Sequence, residues 1–192
     1  KKHDWQPNFN DDRIVEVATR RIIDYFKKNP TEKSYSLAIN DSKKFDQSAD
    51  SRKKRFGRIN SVGFDHASDE YFNWANSVAN NVNSVFPDKM FGALAYNNVF
   101  DPPSKSVGVS KSVVPFITNE RIRWSNPIFK ERDIAHTRKW LEVSENVGWY
   151  DYVYGNTYMA PRVWPNLMGE YLKWAHQNGV KYYVAELYPN WG

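Results

Sequence analysis

Residues 68–98 read SDEYFNWANSVANNVNSVFPDKMFGALAYNN, in which a helical pattern is followed at once by a strand pattern. Tyr71, Trp74 and Val78 recur at the three- to four-residue spacing of one helix face. The apolar run MFGALAY at 90–96 is bounded by polar residues and is typical of a buried strand. A helix that leads directly into a buried strand is the repeating unit of a parallel sheet.

The same alternation continues on both sides of this stretch. Helices are predicted at residues 11–28, 133–146 and 161–178, and the other strands at residues 35–39, 112–118, 149–154 and 180–186. No internal repeat or linker composition divides the chain, so residues 1–192 are predicted to form a single domain. Two α/β architectures fit this order of elements, namely an open doubly wound sheet and an arc of a (β/α)8 barrel.

Carboxylates stand in or directly after the predicted strands, and in both architectures ligands bind at the carboxyl ends of strands. The candidate catalytic groups are Asp41, Asp151 and Glu186. Glycoside hydrolysis needs two carboxylates on either side of the sugar, one protonated and one ionised. Because aromatic residues flank Glu186 most densely, we expect it to be the acid, with Asp41 as its partner and Asp151 in reserve. The alternative is that each carboxylate caps a helix or pairs with an arginine.

Aromatic, asparagine and arginine residues gather at or near the same strand ends. Aromatic rings can hold the apolar faces of sugars, and polar side chains can bind the sugar hydroxyls. The candidate substrate-binding residues are Asn40, Tyr96, Asn97, Asn98, Arg121, Arg123, Trp149, Tyr154 and Tyr188. The two arginines could clamp a carboxylate such as a uronic acid, or they could be structural ion-pair partners. The alternative is that these aromatic residues belong to the core.

The sequence argues against several other chemistries. The chain has no cysteine and its four histidines are scattered, so no metal site is predicted. Neither a P-loop nor a GxGxxG motif occurs, so no cofactor is predicted. No uncharged apolar run approaches the roughly 20 residues of a membrane span. The first residues, KKHDW, contain neither a signal peptide nor an initiator Met, so we expect a processed or excised piece, whose compartment stays open.

Positive charge is concentrated in residues 42–58, SKKFDQSADSRKKRFGR. They belong to a polar stretch that reaches residue 67 and has no apolar periodicity, so a poorly packed loop is predicted over the rim. Phe45, Phe56 and Phe64 are its candidate anchors. Such a basic segment could contact an anion or a nucleic acid. No nucleic acid partner is expected, however, because no RNA- or DNA-binding motif accompanies it.

Several segments carry a family resemblance. They are LAIND at 37–41, SDEYFNWANSVANNV at 68–82, FPDKMFGALAYNNVFDPP at 86–103, PFIT at 115–118, RIRW at 121–124, WYDYVYG at 149–155 and VKYYVAELYPNWG at 180–192. Together they resemble the DUF4838 family of bacterial proteins over most of residues 35–192, with LAYNN and AELYPNWG as the most specific motifs. The resemblance implies a relationship to α-glucuronidase-like and hexosaminidase-like glycoside hydrolases. It therefore implies a carbohydrate-active TIM barrel, without defining the reaction.

The predicted fold is a partial TIM (β/α)8 barrel of about five parallel strands in chain order, joined by crossover helices. The amino-terminal strands of the barrel would precede Lys1 in a longer parent chain, and the first and last strands would have open edges. The predicted function is that of a glycoside hydrolase-like domain with a carboxylate pair at the barrel rim. The alternatives are a non-catalytic carbohydrate-binding barrel and an αβ domain that binds an anion or nucleic acid through residues 43–58.

Overall fold

The computed structural model describes residues 5–154 and 164–187. The helices are α1 (Asp12–Lys28), α2 (Ala49–Arg55), α3 (Ser68–Asn83), α4 (Pro127–Leu141) and α5 (Pro165–Gln177). The strands are β1 (Ser34–Ser36), β2 (Met90–Ala95), β3 (Val113–Asn119), β4 (Val147–Tyr154) and β5 (Val180–Leu187). Short 3-10 turns occupy Asn97–Val99 and Arg121–Ser125. None of the helices in these two ranges has the length and apolar character that crossing a bilayer requires.

The five strands form one parallel sheet in the order β1-β2-β3-β4-β5, and the sheet curls into a half-barrel with alternating helices. The predicted α/β fold is therefore confirmed. In the described part of the chain, β1 and β5 form the two edges and do not pair with each other. The carboxyl ends of all five strands consequently face one rim.

Strand β1 is shorter than the predicted strand at 35–39. Leu37 N still donates to the Gly92 carbonyl at 2.7 Å, but the chain then leaves β2. The side chain of Gln6 instead hydrogen-bonds the backbone of Asn40. Its amide nitrogen donates to the Asn40 carbonyl at 2.7 Å, and its oxygen accepts from Asn40 N at 3.2 Å. The segment before α1 thus replaces the sheet as the partner of this strand end.

The two faces of the sheet have different neighbours. On the convex face, Phe91 of β2 contacts Phe26 of α1, and Trp149 of β4 stacks on Trp174 of α5 with the ring centroids 5.8 Å apart. On the concave face, the ring of Phe116 lies over Gly148, where an added Cβ would come within 2.5 Å of the Phe116 ring. Among the described residues, helices α1 and α5 therefore pack on the convex face, whereas side chains of the strands themselves pack on the concave face.

Residues 42–67, predicted to form a poorly packed loop, are mostly exposed and keep Phe45 as a buried anchor, but they contain a helix and buried polar side chains. Helix α2 lies within this segment, and Phe45 is only 3% exposed. Arg55 Nε lies 3.0 Å from Glu70 Oε1 of α3, in an ion pair whose two side chains are each 4% exposed. The segment is anchored by buried polar pairs, which leave no apolar periodicity to detect. Phe56, one of the predicted anchors, is 77% exposed.

Candidate functional site

The structure brings two of the three predicted carboxylates to the concave face at the carboxyl rim. The Tyr96 hydroxyl, just beyond β2, donates to Asp41 Oδ1 at 3.3 Å. The Tyr150 hydroxyl of β4 donates to Glu186 Oε2 of β5 at 2.9 Å. Two tyrosine–carboxylate pairs thus lie on the same surface, one supplied by the first half of the sheet and the other by the last two strands.

Tyr152 connects the two pairs electrostatically. Burial raises the pKa of Tyr152, and the nearby charges of Glu186 and Asp41 raise it further. Burial likewise raises the pKa of Tyr96, again with contributions from both carboxylates. Tyr152 also pairs in register with Glu186, and its ring centroid lies 5.5 Å from that of Tyr150. We call this group, Asp41, Tyr96, Tyr150, Tyr152 and Glu186, the tyrosine–carboxylate cluster.

The two carboxylates of the cluster differ in enclosure. Asp41 is exposed to solvent, whereas Glu186 is half-buried between β4 and the edge of the sheet. The Tyr150 hydroxyl donates to Oε2 of Glu186, whereas Oε1 of Glu186 has no hydrogen-bond partner within the described ranges. The arrangement therefore offers one exposed carboxylate and one more enclosed carboxyl group with a free oxygen.

The three predicted asparagines lie beside the cluster but have different roles. Asn97 adopts a left-handed backbone (φ 49°), and hydrogen bonding by its side chain lowers the pKa of Tyr96. The side-chain amide of Asn98 donates to the Asp65 carbonyl at 3.0 Å and fastens residues 56–67 to the end of β2. The amide of Asn40 donates to the Trp5 carbonyl at 2.9 Å. Of the three, Asn97 is thus the one that touches the cluster.

Asp151 does not join the other two carboxylates. It lies on the convex face of β4, where it is fully buried. Its Oδ1 accepts from Arg121 N at 3.0 Å and from Tyr152 N at 2.9 Å, and its Oδ2 accepts from the Tyr183 hydroxyl at 3.0 Å. These bonds fix the chain after β3 against β4 and β5. These bonds give Asp151 a structural role.

Arg121 and Trp149 also lie on the convex side, away from the cluster. The guanidinium of Arg121 is fully buried, with Nε 3.2 Å from Asp133 Oδ2 and its centre 3.9 Å from the centroid of Trp149. Trp149 itself is fully buried. Arg123 is exposed and stacks on Phe129, with its guanidinium 3.7 Å from the ring centroid. Each of these residues is thus engaged outside the concave face.

Two of the predicted substrate-binding positions, Tyr188 and the side chain of Tyr154, fall outside the described residues. Conversely, Tyr150 and Tyr152 were missed as site residues. The signal was present in WYDYVY, because period-two alternation puts these two tyrosines on the face opposite Trp149 and Asp151.

Much of the basic charge of residues 42–58 is neutralised within the chain. Besides the buried Arg55–Glu70 pair, Arg58 pairs with Asp69 at 3.1 Å and Lys54 with Asp50 at 3.5 Å. These ion pairs distinguish the segment from a surface of unpaired basic side chains.

In the described ranges, no group of three or more acidic or histidine side chains could hold a metal ion.

Comparison with known proteins gives one match. The model of a protein family described as a domain of unknown function (DUF4838) matches residues 1–190. No curated protein and no solved structure matches the chain. The match spans the sheet, its helices and both halves of the cluster.

Proposed function

The chain belongs to the DUF4838 family, and we propose that its tyrosine–carboxylate cluster is the active site of a glycoside hydrolase-like domain. The observation that carries the proposal is the pair of tyrosine–carboxylate hydrogen bonds on one face of the sheet, from Tyr96 to Asp41 and from Tyr150 to Glu186. The cluster also lies at the carboxyl rim of a parallel sheet, where barrel enzymes bind their substrates.

The two carboxylates are suited to different steps of glycoside hydrolysis. The mechanism needs a protonated carboxyl group for the leaving oxygen and an ionised carboxylate for the anomeric carbon or for water. Glu186 is the more enclosed, and its Oε1 would deliver the proton, which passes to the glycosidic oxygen as its bond to the anomeric carbon breaks. Asp41 is the more exposed and would act as nucleophile or as the base that takes a proton from water.

The tyrosines of the cluster would bind and orient the sugar. Tyr96 and Tyr150 hold one oxygen of each carboxylate and so restrict the rotamers of Asp41 and Glu186. Tyr152 is half-buried beside Tyr150, with the ring centroids 5.5 Å apart, and would contact a sugar ring held by the two carboxylates. Aromatic side chains combine an apolar face with a hydroxyl, which matches the two kinds of surface that a sugar presents.

The test uses the full-length protein and a panel of aryl glycosides. Glu186→Gln and Asp41→Asn are each expected to lower the rate of hydrolysis at least about a hundredfold, which is the usual contribution of a catalytic acid or base. Sugar binding should persist in both variants because the side-chain shapes are kept. The matched controls are Glu16→Gln and Asp24→Asn, which make the same changes on the exposed surface of α1.

Two results would count against this proposal. Unchanged rates in both variants would remove Asp41 and Glu186 from catalysis. Saturable sugar binding by the wild-type protein, with no turnover of any glycoside, would instead assign the cluster to a carbohydrate-binding barrel.

A further inference from the structure

A cavity lies outside the tyrosine–carboxylate cluster. It has a volume of about 680 Å³ and is bounded by α4, the 3-10 turn Arg121–Ser125 and residues 61–62. Small-molecule sites commonly occupy about 300–1,000 Å³, so the cavity has the size of a binding site. None of the five residues of the cluster lines it. Any ligand there would be bound independently of the concave face.

The wall of this cavity carries three cations without ion-pair partners. Arg123, Arg132 and Lys139 line it, and within the described ranges none of them has a carboxylate within ion-pair distance. The wall also contains two carboxylates, Glu120 and Asp133. Asp133 is already neutralised by the buried Arg121, with Arg121 Nε 3.2 Å from Asp133 Oδ2. The cavity therefore has an excess of positive charge.

Aromatic rings stand beside these cations. Phe129 lies under the guanidinium of Arg123 at 3.7 Å, which holds that group over the ring. Phe100 is stacked on His136 with the centroids 4.1 Å apart and the planes 8° apart. His136 is 9% exposed, with Nε2 3.2 Å from Asp101 Oδ1, while its Nδ1 is buried and has no hydrogen-bond partner among the described residues. The cavity thus combines guanidinium groups with aromatic rings.

We propose that this cavity binds a small ring-bearing anion, namely a sugar that carries a carboxylate or a phosphate group. Arg123 and Arg132 bind the anionic oxygens, because guanidinium groups match carboxylate and phosphate geometry. Lys139 adds a point charge, and the rings of Phe129 and Phe100 contact the body of the sugar. The carboxylate and the phosphate share this recognition chemistry.

The test measures binding to the full-length protein by calorimetry. The probes are glucuronate, glucose 6-phosphate and uncharged glucose. Arg123→Gln and Arg132→Gln are each expected to weaken binding of the preferred anion about tenfold, as loss of a charge-assisted hydrogen bond does. Arg138→Gln is the matched control, because Arg138 lies exposed on the same helix and does not line the cavity. The anion that binds more tightly identifies the charged group.

A fourth variant separates this site from the proposed active site. Glu186→Gln should leave anion binding unchanged, since Glu186 does not line the cavity. Binding that is lost in Glu186→Gln would place the anion on the concave face and overturn the proposal. So would equal weakening in Arg138→Gln and Arg132→Gln, equal affinity for glucose, or no saturable binding up to about 10 mM of either anion, a limit that corresponds to negligible affinity. Because both arginines are exposed, neither substitution should prevent folding.

Discussion

The buried pair of Arg121 and Asp133 supports the fold behind the candidate active site, and we predict that Asp133→Asn is strongly destabilising. The two side chains are 0% and 1% exposed. Asp133 also accepts from Trp124 Nε1 and from Asn119 Nδ2, each at 2.8 Å. The variant keeps the shape of the side chain but leaves the guanidinium of Arg121 buried without a counter-charge.

The magnitude follows from the partners that Arg121 keeps. Removing one member of a buried ion pair typically costs about 3–5 kcal/mol. Nη1 of Arg121 still donates to the Tyr150 carbonyl at 3.2 Å, so we expect the lower end of this range. A loss of about 3 kcal/mol corresponds to a fall in Tm of about 6–12 °C for a chain of this length.

The assay is urea unfolding of the full-length protein, followed by tryptophan fluorescence and circular dichroism. Glu131→Gln is the control, since it makes the analogous change at an exposed position of α4. The double variant Arg121→Met/Asp133→Leu should be more stable than Asp133→Asn, because it removes both buried charges. If Asp133→Asn costs no more than Glu131→Gln does, the pair does not contribute as argued.

Three further predictions follow from particular contacts. Gly148→Ala should lower the free energy of unfolding by about 1–3 kcal/mol, because the new Cβ would collide with the Phe116 ring. The control Gly169→Ala has open space around it and should raise the free energy of unfolding by roughly 0.5–1 kcal/mol. Equal effects of the two substitutions would contradict the close approach of Gly148 and Phe116. Burial raises the pKa of Tyr71, Tyr152 and Tyr183 above the ordinary value of 10.0. The stability that these tyrosines contribute is therefore complete below pH 10.0 and is lost as the pH rises toward their pKa in the folded protein. A melting temperature that does not change through this alkaline range would contradict the prediction. Asp41→Asn should lower the pKa of Tyr96, because the charge of Asp41 helps to raise it, and NMR titration of ring-labelled tyrosine would detect the change; an unaltered Tyr96 titration would exclude the contact.

The parallel sheet was predictable because its determinants are local. Buried strands such as residues 90–96 are recognisable as apolar runs, and strands joined by crossover helices pair in parallel. The segment from 42 to 67 was not predictable by the same method. It packs through Arg55 and Glu70, and pairing between two charges distant in sequence leaves no periodic signal.

The candidate site was predictable only in part. Asp41 and Glu186 were recognisable because both follow or end apolar strands. Asp151 looked equivalent in composition, but its place in the alternation of β4 turns it toward the helices. The partners of Arg121 could not be derived either, because they depend on how α4 packs against the end of β3. Tertiary packing, rather than residue type, thus separated the concave side chains from the structural ones.

The chain-order sheet has a consequence for the way the protein folds. The pairing of Phe91 with Val113 closes a much shorter loop than the pairing of Ser34 with Met90. Because the entropy of loop closure rises with chain length, we expect β2 and β3 to associate early and β1 to dock late. With three paired residues, β1 should exchange its amide hydrogens fastest among the strands, and Asp41, which follows it, would be positioned by one of the last steps of folding.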